Sequence, residues 1–316
     1  MMSEIKPVVL VTGASGFLGR HIVPALTRQG WSVRRAVRSP EGTDGEVVIK
    51  SIGPETDWQA ALEGVDAVVH LAARVHYKNE EHAVQLYRDV NVDGTLHLAR
   101  SAATAGVRQF IFISTVLVHG RSNDGRAPFS ESDVPTPRGL YGTSKAEAEA
   151  GLRTLARDSD MKISVIRPPL IYGAGAKGNF ALLTRAVRRG LPLPFAAIRN
   201  RRNFLSVQNL SSFILHRLGH SDPASNFEIF LLADRERVST PEFIACLARA
   251  SGKSARLFGI PPKLLSAVLR VMGRRDMQDG LIGSLELDIS KAIATGWQPQ
   301  VTLEEGLRLA VSDQEP

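Results

Sequence analysis

Tyr141 and Lys145 stand four residues apart in GLYGTSKAEAE, a stretch that begins at Gly139 and has the periodicity of a helix start. Residues at i and i+4 are neighbours on one helix face. A phenol and an ammonium side by side suit proton transfer, because an ordinary tyrosine with pKa near 10 is a poor base at neutral pH and an adjacent cation favours its phenolate. An aromatic anchor beside a solvated lysine is the plainer reading, and these two residues alone leave it open.

A second constellation lies near the N-terminus, where VTGASGFLG runs from a β-branched stretch through Gly13, Gly16 and Gly19 into a helical pattern. After a strand and before a helix, glycines at this spacing predict a dinucleotide site. Gly13 allows the tight turn, Gly16 lets the backbone approach a pyrophosphate, and Gly19 lets the helix close on the sheet. The helix N-terminal amides then face the anion. A carboxylate at the end of the second strand would hold the adenosine ribose, but the sequence there is VRRAVRS, with Arg38 at the expected position. A guanidinium suits a 2′-phosphate, so NADP(H) is favoured, with NAD(H) as the alternative.

The elements that must position these groups alternate. Strand patterns at 8–13, 32–37, 66–72, 110–115 and 163–168 are separated by helical ones at 17–29, 56–63, 82–105 and 142–157. That order predicts an α/β fold, a Rossmann-type doubly wound parallel sheet binding ligands at the carboxyl ends of its strands. Regularity fades after about residue 170, where 178–190, 206–219, 240–251 and 261–273 look helical. We therefore expect a dinucleotide-binding domain over 1–169 with about 203–233, and a smaller, partly discontinuous substrate domain over 170–202 and 234–316. The stretch PPKLLSAVLRVMGRR at 261–275 is amphipathic and ends in arginines; packing of the second domain is the expectation, membrane-surface contact the alternative.

Composition narrows the classes. The 316 residues are 43% hydrophobic and 22% charged, ordinary for a globular protein with a sizeable core. The net charge of +7 comes from arginines spread over many segments without an aromatic-interleaved motif, so no nucleic-acid partner is expected. The one cysteine, Cys246, excludes an internal disulfide and a thiolate zinc cage, and His76, just beyond HLAA, has no second metal-type ligand at useful spacing. No metal is assigned. No apolar run is long enough for a membrane span, and a cytoplasmic location is the default.

Together TGASGFLG, HLAA at 70–73, NVDGT at 91–95, FISTVLVHG at 112–120, YGTSK at 141–145, RPPLIYG at 167–173 and RRNFLSVQNL at 201–210 resemble the extended short-chain dehydrogenase/reductase family. The match runs over nearly the whole chain, and several motifs in order are more specific than any one. The resemblance implies that Tyr141 is the acid/base, that Lys145 holds the nicotinamide ribose, and that Thr115 hydrogen-bonds the reacting oxygen. Ser114 would point to the opposite face of the strand. Asn91 either braces the active-site helix or simply caps or packs. Further cofactor contacts implied are Ser15, Phe17 and Leu18 in the glycine turn, Leu71, Ala72 and Ala73 in HLAA, and Pro168.

Members of this family mostly act on nucleotide sugars. The 4,6-dehydratases resemble this set but carry an acidic pair after the catalytic threonine; here Val116 and Leu117 stand there and cannot move a proton. Motifs HLAARVH, STVLVHG and GNFALL are similar to those of bacterial 4-keto-sugar reductases and UDP-glucose 4-epimerase-like proteins of surface-polysaccharide (O-antigen) synthesis. The resemblance implies NADPH-dependent reduction at C4 of a UDP-linked 4-keto-6-deoxy sugar, often 2-acetamido. The alternatives are an NAD(P)-dependent UDP-hexose 4-epimerase and a non-catalytic dinucleotide sensor or assembly factor. Arg202 would grip the nucleotide diphosphate, with Asn179 and Arg275 as further substrate contacts. A homodimer through helices at 82–105 and 142–157 is also implied.

Overall fold

The computed structural model describes residues 6–75, 83–271 and 280–312. His76 and Arg275 lie outside them. The chain divides into two compact units, one of Met1–Val118, Pro135–Arg167 and Phe213–Phe230, the other of His119–Val134, Pro168–Ser212 and Leu231–Pro316.

The strands are β1 (Val8–Thr12), β2 (Ser32–Val37), β3 (Glu46–Val48), β4 (Ala67–His70), β5 (Gln109–Ile113), β6 (Lys162–Arg167), β7 (Ile171–Tyr172), β8 (Arg202–Asn203), β9 (Leu205–Ser206), β10 (Phe227–Leu231) and β11 (Arg237–Val238). The helices include α1 (Phe17–Arg28), α2 (Gln59–Leu62), α3 (Ala83–Tyr87), α4 (Gly94–Thr104), α5 (Gly139–Leu155), α6 (Asn179–Arg188), α7 (Val207–Gly219), α8 (Thr240–Ala250) and α9 (Pro262–Val271).

The first unit is built on a seven-stranded sheet in the order β10-β6-β5-β4-β1-β2-β3, with β1 parallel to β2 and β4, and β4, β5 and β6 parallel in turn. Strands buried on both faces need continuous apolar runs, and VVLVT, AVVH and QFIFI supply them. On one face Leu10, Val68, Phe110 and Val165 pack with Trp58, Leu98 and Leu152. The winding reverses between β1 and β4, and an open sheet of this kind binds its ligand there.

The segment 82–105, expected as one helix, is three elements: α3, a π-helical turn at Arg88–Asp93, and α4. The wider turn swings Asn91 inward, where it is 1% exposed. Single π turns often sit at functional sites.

In the second unit β7 pairs with β9 and β8 with β11. Phe204 stacks on Phe243 at 4.0 Å between ring centres, and Tyr172 and Phe180 complete an aromatic cluster. Helix α8 starts with the capping box Ser239 and Glu242 followed by Pro241 in its first turn. Beyond shifts of two or three residues at 168–169 and 231–233, the unit boundaries differ from the sequence expectation in two longer stretches. Residues 119–134 belong to the second unit, because the Asn123 and Phe129 amides donate to the Ser284 and Glu286 carbonyls, the Asp288 amide donates to the Phe129 carbonyl, and Glu131 accepts from the Leu231 amide. Residues 203–212 belong there too, held by the β7–β9 and β8–β11 ladders and by Asn209 on Asp234. Such pairings join positions far apart in the chain and leave no local periodicity.

Candidate active site

The glycine turn leaves β1 at the switch point. Gly13 has φ +71°, and a Cβ there would lie 2.8 Å from the Ala72 nitrogen, so the turn and the HLAA loop touch backbone to backbone. A Cβ on Gly19 would sit 2.1 Å from the Ala14 carbonyl oxygen, and one on Gly16 3.2 Å from the Gly13 oxygen. Helix α1 then begins with no side-chain cap and no acid in its first turn. Four N–H groups at a helix start lack intrahelical partners, and among the described residues no carboxylate caps them. This cradle fits a dinucleotide pyrophosphate. Ser15, Phe17 and Leu18 lie in the turn and the first turn of α1, and Leu71, Ala72 and Ala73 directly after β4. Pro168 is buried and follows β6.

Of the three arginines at the end of β2, two are occupied. Arg34 donates to the Ala61 and Glu63 carbonyls at 3.0 and 2.6 Å, and Arg35 to Thr43 at 2.7 Å. Arg38 follows the strand and is exposed.

Tyr141 lies in the first turn of α5, half-buried. Two glycines bring that helix in close: a Cβ on Gly142 would lie 2.9 Å from the Leu117 carbonyl, and one on Gly151 would strike the Leu96 side chain at 2.6 Å. Gly142 thereby draws the Tyr141 turn against the 116–118 turn that follows Thr115. Thr115 is 8% exposed, and its hydroxyl accepts from the Leu117 amide at 3.2 Å. Ser114 is turned the other way and donates to the Glu149 carboxylate, which is also paired with Arg167 at 2.5 Å.

Asn91 spans loop and helix. Its Oδ1 accepts from the Arg74 amide at 2.8 Å, and its Nδ2 donates to the Arg74 carbonyl at 2.9 Å and to Ser144 at 3.0 Å. Ser144 donates in turn to the Tyr141 carbonyl at 2.9 Å. Of the alternatives the sequence left open for Asn91, this geometry is that of a brace between the loop after β4 and α5.

Lys145 differs from expectation. Its ammonium is 1% exposed, donates to the Ile113 carbonyl at 2.8 Å, and stands 4.2 Å from the centre of the Phe112 ring. Burial pushes it down to about 7, against the opposing pull of the Glu149 carboxylate. The Tyr141 hydroxyl is pushed above its ordinary value, first by burial and then by Tyr87. The lowering of the phenol by Lys145 is thus not found in the protein alone, because the ammonium is engaged by a backbone carbonyl and an aromatic face.

A further column passes unnoticed in the sequence. Phe112 stacks on His70 at 5.8 Å, and His70 is fully buried with Nδ1 2.6 Å from the Thr12 hydroxyl and Nε2 3.0 Å from that of Thr95. Burial, joined by the Lys145 charge, holds His70 down at about 3, so it is a neutral tie from α4 to the residue before Gly13. The one signal for it was a histidine ending an otherwise apolar strand.

In the second unit, Asn179 is exposed at the first position of α6. Arg202, expected to grip the nucleotide diphosphate, stands in β8, is 7% exposed and donates to the Gly283 carbonyl at 2.5 Å. Among the described residues no cluster of His, Cys, Asp or Glu could hold a metal ion, and no helix is long and apolar enough to cross a membrane.

Known proteins are similar to this chain over most of its length. A UDP-glucose 4-epimerase of Vibrio cholerae is 38% identical over 307 residues, covering 95% of this chain and 93% of its own. A GDP-6-deoxy-D-mannose reductase of Pseudomonas aeruginosa is 26% identical over 318 residues, 97% of each chain. The crystal structure of a UDP-N-acetylglucosamine 4-epimerase from Bacillus cereus matches with TM-score 0.80 over 98% of this chain and 100% of that one, at 20% identity, a likeness of fold. The NAD dependent epimerase/dehydratase family model matches residues 9–233. With its glycine turn at the switch point and that full-length likeness, the chain belongs to the NAD dependent epimerase/dehydratase family.

Proposed function

We propose that the chain is an NAD(P)-dependent 4-epimerase of a UDP-linked hexose, in which C4 would be inverted by loss of hydride from one face and its return to the opposite face. The observation that carries this is the 38% identity to the Vibrio cholerae UDP-glucose 4-epimerase over nearly the whole of both chains. It moves the balance from C4 reduction, the first expectation from the sequence, to the alternative. A nicotinamide dinucleotide held at the glycine turn would supply the hydride acceptor and donor. The chain supplies the rest. Tyr141 takes the C4 hydroxyl proton and gives it back, and Thr115, whose oxygen already accepts from the Leu117 amide, keeps its own proton to donate to the C4 oxygen. Because burial favours the protonated phenol, the base form of Tyr141 depends on positive charge brought with the cofactor and on Lys145. Asn179 and Arg202 are assigned to the diphosphate.

Reduction of a 4-keto sugar remains the second reading, favoured by one feature: Arg38 stands where a ribose-binding carboxylate would mark NAD. One pair of assays separates them. UDP-glucose, or its N-acetyl analogue, is incubated with the protein without added reduced cofactor, and the anomeric protons are followed by NMR. A UDP-4-keto-6-deoxy-hexosamine is offered separately with NADPH. Interconversion in the first arm supports the epimerase, stoichiometric NADPH loss in the second supports the reductase, and silence in both with retained dinucleotide binding leaves a sensor.

A further inference from the structure

The charge of the chain is not spread evenly. Between Met161 and Ser221 there are ten lysines and arginines and no aspartate or glutamate; between Phe243 and Arg275 there are seven and again no acid. The structure lays parts of these two acid-free stretches side by side in the second unit. The Leu193 amide donates to the Arg256 carbonyl at 2.8 Å, the Phe258 amide to the Leu193 carbonyl at 3.0 Å, and Arg256 itself reaches the Gly190 carbonyl at 3.3 Å. Helix α9 packs on the end of this pair through Leu265, which is buried with Ile198 and packed against the partly buried Phe195 and Ile260.

Opposite Leu265, α9 presents Lys263 and Arg270, seven residues apart and so on one line, with Leu264 beside them. Leu264 is 56% exposed, Phe258 46% and Leu191 48%. None of Arg256, Lys263 and Arg270 has a carboxylate partner among the described residues. Large apolar side chains without cover, interleaved with unpaired cations, are what an interfacial helix needs to sit at the headgroup boundary of a bilayer. A second copy of this chain would set cation against cation on such a face. Nucleic acid would leave Leu191 and Leu264 without a role.

We propose that this face of the second unit, centred on Phe258 and α9, docks reversibly on a membrane carrying anionic phospholipid. The cations supply attraction to the headgroups, at about 1 kcal/mol each near the surface, and Leu191, Phe258 and Leu264 enter the acyl boundary. The proposal is independent of which sugar reaction the first unit performs.

The test is co-flotation of the purified protein with vesicles of phosphatidylcholine alone or with phosphatidylglycerol at about one third, at low and high salt. Binding is expected only to the anionic vesicles and is expected to fall with salt. The double variant K263Q/R270Q should bind about 30-fold more weakly, and F258S/L264S should also lose binding. R28Q/R157Q removes two cations from the first unit and should bind as the wild type does. All three should keep wild-type turnover of soluble substrate, which shows that they fold. The proposal is overturned by equal binding to neutral vesicles, by no binding, by R28Q/R157Q losing as much as K263Q/R270Q, or by capture of single-stranded RNA in place of vesicles.

Discussion

Lys145 is the most exacting place to test the site's electrostatics. Its ammonium is 1% exposed, and burial brings it down to about 7, whereas an unfolded lysine titrates near 10.4. Between those values the unfolded chain holds the proton that the folded one has released, so stability must rise with pH. At neutral pH the buried charge costs about 4 kcal/mol, and between pH 6 and pH 9 roughly 3 kcal/mol of that is relieved. Lys145→Met keeps the volume and removes the titration. Urea unfolding of the cofactor-free proteins across this range should show the wild type gaining on the variant as pH rises, with the variant's advantage largest at pH 6. A variant that loses turnover yet gains stability in acid is the expected signature of a group held for chemistry rather than for folding. Parallel stability curves for the two proteins from pH 6 to pH 9 would refute the argument, since they would mean that the ammonium is solvated.

Other outcomes follow from the same geometry. Tyr141→Phe should lower turnover by at least about a hundredfold, as loss of an acid/base does, while dinucleotide binding followed by fluorescence is unchanged; retained turnover removes its role. Arg38→Asp should move the ratio of kcat/KM with NADP to that with NAD toward NAD, by at least tenfold if one charged hydrogen bond of about 1.5 kcal/mol is lost; an unchanged ratio shows that Arg38 does not read the 2′ position. Asp234, 1% exposed, is pushed up to about 6 by burial against the hydrogen bonds from the Ser206 amide, Asn209 and Tyr172. Its stabilising contribution is therefore greatest in acid and lost as pH rises through 6, so between pH 4.5 and 7.5 the wild type should lose roughly 2 kcal/mol relative to Asp234→Asn, read by urea unfolding at each pH.

The sheet and its helices were legible because their signals are local. Periodicity placed β1, β2, β5 and β6 within two residues, and the glycine turn could be read because Gly13 and Gly19 each meet a neighbouring backbone that admits no Cβ, while Gly16 lies close against the Gly13 carbonyl. What stayed hidden depends on distant partners. Nothing around Asn91 marks a π turn, since its cause is the Arg74 backbone on one side and Ser144 on the other. Residues 119–134 sit in the second unit through bonds to 284–288 and Leu231, which no window of sequence contains. The spacing of Tyr141 and Lys145 predicted neighbours on a helix, but not that the ammonium would be drawn to Ile113 and Phe112.

That displacement bears on how the site would be switched on. Lys145 reaches the carbonyl at the end of β5, and its charge is felt by His70, which stacks on the same Phe112 ring and ties Thr12 to Thr95. The ammonium, the phosphate turn and α4 are thus linked through one buried column rather than through the surface of a cleft. A buried cation held by a single carbonyl is under-satisfied, since an ammonium has three protons to donate. Any ligand hydroxyl that reaches it replaces missing hydrogen bonds and raises its pKa, so ligand binding should draw a proton onto the protein at pH 8. The uptake is measurable by calorimetry in buffers of different ionisation enthalpy. It should vanish in Lys145→Met while binding persists, and if the uptake survives that substitution the titrating group lies elsewhere.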